Sequence, residues 1–99
     1  MIERIVLLKL ADKHANPDGR LKVARELRER LPRVPGPKSV TVALAADERS
    51  VQSWDLSILA CFDAINDVEP YLAHPAHRSI VDEYLRPRLA CIKAWNFAR

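Results

Sequence analysis

The order of its apolar periodicities constrains the fold of this chain more than any other sequence feature. Apolar residues alternate with a period of two in four segments, and they recur at helical spacing in two others. These segments follow one another along the chain as β-α-β-β-α-β. This split βαβ order predicts an α+β fold with a four-stranded antiparallel sheet and helices on one face. With 99 residues, the chain has the size of a single domain, placed at residues 1–99.

Local signals place the boundaries of these elements. The predicted strands are Ile2–Leu10, Ser39–Ala46, Trp54–Phe62 and Cys91–Phe97. The first helix is predicted to start at Asn16-Pro17, because asparagine caps helices and proline suits the first helical position. The Pro-Gly-Pro turn at positions 35–37 follows the end of that helix.

The remaining connections carry weaker signals. The polar stretch Asp47–Ser53 is typical of a loop or hairpin connection. Farther on, Asn66 has the spacing of a capping-box residue, which predicts a short helix ending near Ala73. Pro75 then predicts the start of another helix, and Pro87 predicts its end.

The sheet face away from the helices is also predicted to be apolar. Ile5, Leu7 and Leu59 alternate onto that face. Monomeric proteins rarely leave a large contiguous apolar patch exposed, so such a face usually marks an interface. We therefore expect a homodimer that forms through this open sheet face.

Charge and cysteine content argue against several classes of function. The net charge is only +3, and the basic residues of the first helix alternate with acidic ones, unlike a nucleic-acid-binding stripe. No apolar run approaches the ~18–20 residues that span a bilayer, and no signal peptide is recognisable. Cys61 and Cys91 lie inside apolar runs, which predicts buried thiols. We expect a cytoplasmic protein with no metal or cofactor and with no nucleic-acid or membrane partner.

The stretch from Tyr71 to His77 is the strongest candidate for chemistry. It contains two of the three histidines, whose unperturbed pKa lies near neutrality. His77 shares an apolar helix face with Ile80, and Tyr71 lies across the break between two helices. A neutral His77 imidazole could act as a base, while the Tyr71 phenol donates a hydrogen bond to a carbonyl or enolate oxygen. His74, just before Pro75, is instead expected to occupy the helix N-cap.

Structural interpretations of these residues stay open. Backbone groups or water could satisfy both nitrogens of His77 in a filled core. A cavity of ~300 Å³ or more, lined by Arg4, Tyr71 and His77, would instead favour ligand binding. Arg4 either reaches solvent near its strand end or holds the anionic group of a carboxylated ligand. The predicted ligand-binding side chains are Arg4, Val6, Leu8, Leu27, Leu56 and Ile80.

Segments along almost the whole chain resemble the stress-responsive A/B barrel domain (Dabb) family. These segments are Arg4–Leu10, Pro35-Gly36, Asp55–Asp63, Tyr71-Leu72-Ala73-His74-Pro75-Ala76-His77 and Leu85-Arg86-Pro87. The stretch from Tyr71 to His77 is the most specific of them. The resemblance implies a ferredoxin-like subunit and a homodimer whose two sheets close into an α/β barrel.

The resemblance also implies roles for individual residues. One plant member of the family is a polyketide cyclase, and by that likeness His77 is the catalytic base and Tyr71 binds and orients the substrate. Pocket histidines of that cyclase correspond here to Arg4 and Leu56, so this pocket should differ in shape and polarity.

The first hypothesis is a protein that binds a small hydrophobic or aromatic metabolite, with proton transfer by His77. The alternative is a non-enzymatic stress-response protein in which the His-Pro-Ala-His stretch only shapes the helix junction. A cofactor-free oxygenase is a third hypothesis with the least support.

Overall fold

The computed structural model, which describes residues 1–99, has the predicted order of strands and helices with one additional short helix between the second and third strands. The strands are β1 (Ile2–Leu10), β2 (Ser39–Leu44), β3 (Leu56–Phe62) and β4 (Leu89–Ala98). The helices are α1 (Pro17–Arg30), α2 (Glu48–Ser53), α3 (Val68–Ala73) and α4 (Pro75–Arg78). Single 3₁₀ turns lie at Leu31–Arg33, Ile65–Asp67 and Arg86–Arg88.

The four strands form one antiparallel sheet in the order β2-β3-β1-β4, which confirms the predicted architecture. Val6 on β1 pairs with Ile58 on β3 and with Ala94 on β4. These residues lie on the face that bears the helices, where most of the core is buried. The residues of α1 buried against this face are Val23, Ala24 and Leu27.

The start of α1 is confirmed as predicted. The Asn16 side chain accepts a 2.8 Å hydrogen bond from the amide of Gly19, and Pro17 is the first helical residue. This bond satisfies one of the amides that a helix N-terminus leaves unpaired. α1 is the longest helix, with 14 residues, and no helix combines the length and apolar character needed to cross a membrane.

The stretch Asp47–Ser53 contains the helix α2, so the prediction of a loop there is wrong, although β2 and β3 on either side of it pair antiparallel as in a hairpin. The Asp47 carboxylate caps this helix by accepting a 2.7 Å hydrogen bond from the amide of Ser50. Lys9 donates a 2.9 Å hydrogen bond to the carbonyl of Val51, which attaches α2 to β1. No residue of α2 is buried. The helix therefore lacks the apolar periodicity by which sequence analysis recognises helices.

The predicted capping box at Asn66 is also wrong. Asp67, one residue later, accepts a 3.3 Å hydrogen bond from the amide of Ala64, and a 3₁₀ turn precedes α3. α3 therefore begins at Val68. Pro70 still falls in its first turn, where the missing amide hydrogen costs no helical bond.

His74 and Pro75 build the break between α3 and α4. The backbone of His74 is extended, with φ −61° and ψ 133°, as expected of a residue before proline. Its ring Nδ1 accepts a 3.1 Å hydrogen bond from the amide of Ala76, so His74 occupies the N-cap as predicted.

Removing this cap is expected to lower the free energy of unfolding by about 1 kcal/mol. His74→Ala deletes the acceptor of the Ala76 amide. His74→Asn places a side-chain oxygen where it can accept the same bond, so this variant should stay near wild type. Urea denaturation measures both variants. Equal losses in the two would show that the hydrogen bond is not what His74 contributes.

Beyond α4 the helix widens into a π-helical stretch over Ser79–Leu85. At its end the amide of Arg86 donates to the carbonyl of Val81, five residues earlier. Such stretches are rare and are frequent at functional sites. The predicted stop at Pro87 is confirmed, because the π-helical stretch ends at Leu85, Pro87 lies in the 3₁₀ turn that follows, and β4 begins at Leu89.

One carboxylate of the chain is completely buried. Asp55 immediately precedes β3 and has 0% of its surface exposed. Its Oδ1 lies 2.8 Å from Nε of Arg20, and its Oδ2 accepts a 2.8 Å hydrogen bond from the amide of Leu10. Asp55 therefore joins α1, the end of β1 and the start of β3 at a single point.

The sheet face opposite the helices is apolar and open. Ile5 pairs with Trp95 across β1 and β4, and Trp95 and Phe97 are 46% and 52% exposed. Both cysteines lie on this face as well. Cys61 is half-buried and Cys91 is exposed. The prediction of buried thiols is therefore wrong, because strand alternation turns both side chains away from the helices.

Candidate functional site

A cavity of about 200 Å³ lies between the sheet and the second helical region, from α3 through the π-helical stretch. Of its thirteen lining residues, eleven are hydrophobic, and the other two are Arg4 and His77. The sheet contributes Arg4, Val6, Ile58, Ala60, Ile92 and Ala94, the helical region contributes Tyr71, Leu72, His77, Ile80, Val81 and Leu85, and Leu31 in the 3₁₀ turn after α1 completes the lining. The volume is below the ~300 Å³ expected for a ligand site. The cavity therefore does not reach the volume named above as favouring ligand binding, although Arg4, Tyr71 and His77 line it as that criterion required.

The predicted site residues divide into two groups. The structure brings Arg4, Val6, Tyr71, His77 and Ile80 together around the cavity. Strand alternation and the helix break place these five side chains on facing surfaces, as the sequence predicted.

The other three predicted ligand residues do not reach the cavity. Leu8, Leu27 and Leu56 are at most 1% exposed and lie in the packed core. Leu8 pairs with Leu56 across β1 and β3, whereas Arg4 pairs with Ala60 farther along the same ladder. On β1 and β3 the lining residues are Arg4, Val6, Ile58 and Ala60, so these three leucines support the fold and do not line the site.

The rings of Tyr71 and His77 are in contact. Their centroids are 4.5 Å apart and their planes are inclined by 56°. On its other side Tyr71 meets the ring of Phe62 edge-on at 5.3 Å. Gly36, with φ 131°, lies so close that an added Cβ would be 3.3 Å from Cβ of Tyr71. The tyrosine is therefore held between the core, the turn before β2 and the histidine.

Burial sets the protonation states of this pair. Burial lowers the pKa of His77 most strongly, the carbonyl of Leu72 opposes that effect, and the positive charge of Arg4 adds to it. Burial raises the pKa of Tyr71 to about 12, although Arg4 partly offsets this rise. At neutral pH the site therefore presents a neutral imidazole beside a neutral phenol, as a base and a hydrogen-bond donor require.

The lowered pKa of His77 should make stability depend on pH. The unfolded chain binds the imidazole proton more tightly than the folded chain does, so stability falls as the pH drops below the unfolded value of about 6.5. His77→Gln removes this group, and its free energy of unfolding should decline less than that of wild type between about pH 7 and pH 5. Urea denaturation at several pH values measures this difference. Parallel curves for the two proteins would contradict the assignment, and an NMR titration of the ring checks the pKa directly.

Arg4 is half-buried in the wall of the cavity, and burial lowers the pKa of its guanidinium. Its Nη1 donates a 3.0 Å hydrogen bond to Oδ1 of Asn96, the residue opposite it on β4. Arg4 therefore does not simply extend into solvent. Sequence analysis missed Asn96, as well as Ile92 and Ala94 in the cavity wall. The signal was present, because pairing β4 beside β1 with alternating side chains places all three on the helix face.

Comparison with known proteins agrees with this fold. A dimeric protein of unknown function with a ferredoxin-like fold from Bacteroides fragilis NCTC 9343 superimposes with a TM-score of 0.80 at 22% identity, over 99% of this chain and 95% of that one. A Dabb family protein from Mesorhizobium loti gives a TM-score of 0.82 at 16% identity, over 99% and 95% of the two chains. An antibiotic biosynthesis monooxygenase gives 0.72 at 12% identity, over 100% and 98%. Likeness at these identities shows a shared fold.

The sequence itself identifies the family. No curated protein matches the chain. The family model described as the stress responsive A/B barrel domain, however, matches residues 2–97, which is nearly the whole chain. The resemblance carried by the Tyr71–His77 stretch is thereby confirmed, and the chain belongs to the stress-responsive A/B barrel domain (Dabb) family.

Proposed function

We propose that this protein binds a small hydrophobic or aromatic metabolite in the cavity and that His77 transfers a proton on it. The observation that supports this most is the contact between a neutral imidazole and a neutral phenol, 4.5 Å apart at their ring centroids, in the wall of an apolar cavity. Titratable groups with shifted pKa values that converge in a cleft are typical of functional sites.

The chemistry that suits this pair is proton abstraction next to a carbonyl group. The imidazole of His77 accepts a proton from the carbon beside the carbonyl, and the electron pair of that C–H bond moves into an enolate. Tyr71 donates a hydrogen bond to the enolate oxygen. If the proton on the imidazolium first exchanges with solvent, delivery of the solvent-derived hydrogen to the same carbon gives net hydrogen exchange. If the enolate carbon instead attacks a second carbonyl, a ring closes and the alkoxide formed takes the proton from the imidazolium. Arg4 lines the same cavity from the facing sheet and adds a positive charge to the site where the oxyanion develops.

The competing function is a non-enzymatic one in which the His-Pro-Ala-His stretch only shapes the helix junction. The hydrogen bond from the Ala76 amide to His74 favours such a role for the first histidine. It says nothing about the second, because His77 contacts Tyr71 and the cavity. The oxygenase hypothesis depends on the shared fold alone.

Hydrogen exchange on a bound ketone tests the proposal. Acetophenone is a single-ring ketone whose methyl protons exchange slowly in neutral D₂O, and ¹H NMR follows both its binding and its exchange. The wild-type protein should bind it and accelerate exchange, His77→Ala should bind it without acceleration, and Tyr71→Phe should be slower than wild type. Binding without any exchange in the wild type would leave a binding protein only. Absence of binding by this ketone, by phenols and by aromatic acids would contradict the proposal as a whole.

We further propose that the protein works as a homodimer formed through the open sheet face. The exposed Trp95 and Phe97 and the partly exposed Ile5 support this assignment. The structurally similar protein from Bacteroides fragilis is described as dimeric. Pairing two such faces removes their apolar surface from water. This burial stabilises a chain of this size, whose own core is modest.

A further inference from the structure

The cavity contains a positive charge without an anionic partner. Arg4 is half-buried, and no carboxylate of the chain lies within 4.0 Å of its guanidinium, although the chain has eight such pairs elsewhere. Glu69 acts on it only at longer range. Its one hydrogen bond goes to the neutral amide of Asn96.

This arrangement leaves guanidinium donors free to bond a ligand at the cavity wall, because no buried side-chain nitrogen of the chain lacks a partner and the unbonded nitrogens of Arg4 therefore reach solvent. A guanidinium has five N–H donors in a planar fork, and one of them is bonded here. Removing a charge from water costs free energy unless an opposite charge or several hydrogen bonds replace the water. A carboxylate suits this fork best because it accepts two parallel N–H bonds.

The size and lining of the cavity limit the rest of the ligand. A dry apolar cavity of ~150 Å³ is known to hold benzene. The present volume of about 200 Å³ therefore accommodates one ring with a small substituent. The apolar walls formed by Ile80, Val81 and Leu85 offer that ring no hydrogen-bonding partners.

We propose that the ligand is a small carboxylate whose apolar body is no larger than one ring, with its carboxylate paired with Arg4 and its ring in the cavity beside Tyr71 and His77. This inference rests on the proposed ligand binding and adds the chemical class of the ligand. It also implies an electrostatic link within the site. An anion that neutralises Arg4 removes the positive charge that disfavours the imidazolium of His77, so binding raises the His77 pKa.

Benzoate and benzamide form a matched pair of probes, because they share size and ring but differ in charge. Isothermal titration calorimetry should show that the wild-type protein binds benzoate more tightly than benzamide by about tenfold or more. Arg4→Gln should lose this preference while still binding benzamide, and Arg4→Lys should keep part of it. Arg49→Gln, a change at an exposed position on α2, is the control and should behave as wild type. An NMR titration of the His77 ring should show a higher pKa with benzoate than with benzamide.

The outcomes separate this inference from the proposed function. Equal binding of benzoate and benzamide by the wild type, or an undiminished preference in Arg4→Gln, overturns the inference and leaves ligand binding intact. Binding of neither probe overturns the inference, and the acetophenone experiment then decides whether the site binds ligands at all. Equal or tighter binding of 2-naphthoate overturns the single-ring limit.

Discussion

Replacing Asp55 with alanine is expected to lower the free energy of unfolding by about 3–5 kcal/mol. The change leaves the guanidinium of Arg20, whose side chain is only 16% exposed, without its carboxylate. It also leaves the Leu10 amide, which donates the 2.8 Å bond to Oδ2, without an acceptor. Both are buried donors that lose a charged partner, which costs more than the net value of the bonds.

Equilibrium urea denaturation measures this loss, and Asp63→Ala supplies a matched control. Asp63 follows the same strand, and its carboxylate pairs with Lys38 at 3.3 Å. Both side chains are mostly exposed, however: that of Asp63 is 71% exposed and that of Lys38 is 57% exposed. Its removal should change stability by no more than about 0.5 kcal/mol. Asp55→Asn, which keeps one oxygen acceptor, should fall between the two. A loss at Asp55 as small as that at Asp63 would show that the buried carboxylate does not hold α1 to the sheet.

The second large effect is expected at the open sheet face. Trp95→Asp should weaken the proposed homodimer by on the order of 100-fold, because a symmetric interface would bury two unpaired carboxylates in place of two indole rings. Sedimentation velocity over a concentration series measures the shift from dimer to monomer. The variant should still fold as a monomer, because Trp95 lies outside the core between the sheet and the helices.

Ile65→Asp provides the control for that experiment. Ile65 is also an exposed apolar residue, at 52%, but it lies in the 3₁₀ turn before α3 and not on the sheet. Its replacement should leave the dimer intact. A wild-type protein that sediments as a monomer at micromolar concentration would contradict dimerisation, and an unchanged dimer in Trp95→Asp would place the interface on another surface.

The sequence predicted the sheet because its signal is periodic and strong. Alternation along β1 and β3, together with the Asn16-Pro17 helix start, was enough to fix element order and topology. α2 was missed because its six residues, five of them polar, carry no apolar period, and its helix depends on the Asp47 cap and on a contact with Lys9. Asp55 falls inside the predicted strand Trp54–Phe62, although the observed strand begins one residue after it and its carboxylate is buried.

The site was predictable in part for a similar reason. A proline break brings two helix faces together, so the contact of Tyr71 with His77 follows from local sequence. The position where the cavity ends does not follow from local sequence. It depends on how far the helical region extends over the sheet and on the π-helical widening of that region. Leu8 and Leu56 therefore looked equivalent to Arg4 and Val6 in the sequence, yet they are packed in the core and do not line the cavity.

The close approach of Gly36 to Tyr71 has a dynamic consequence. Because the turn before β2 lies against the tyrosine, the turn cannot open without releasing one wall of the cavity. Local unfolding of the turn and exposure of the Tyr71–His77 pair should then be a single event with one free energy. Amides on both sides of this contact belong to one cooperative unit of hydrogen exchange, although 35 positions separate them in the chain.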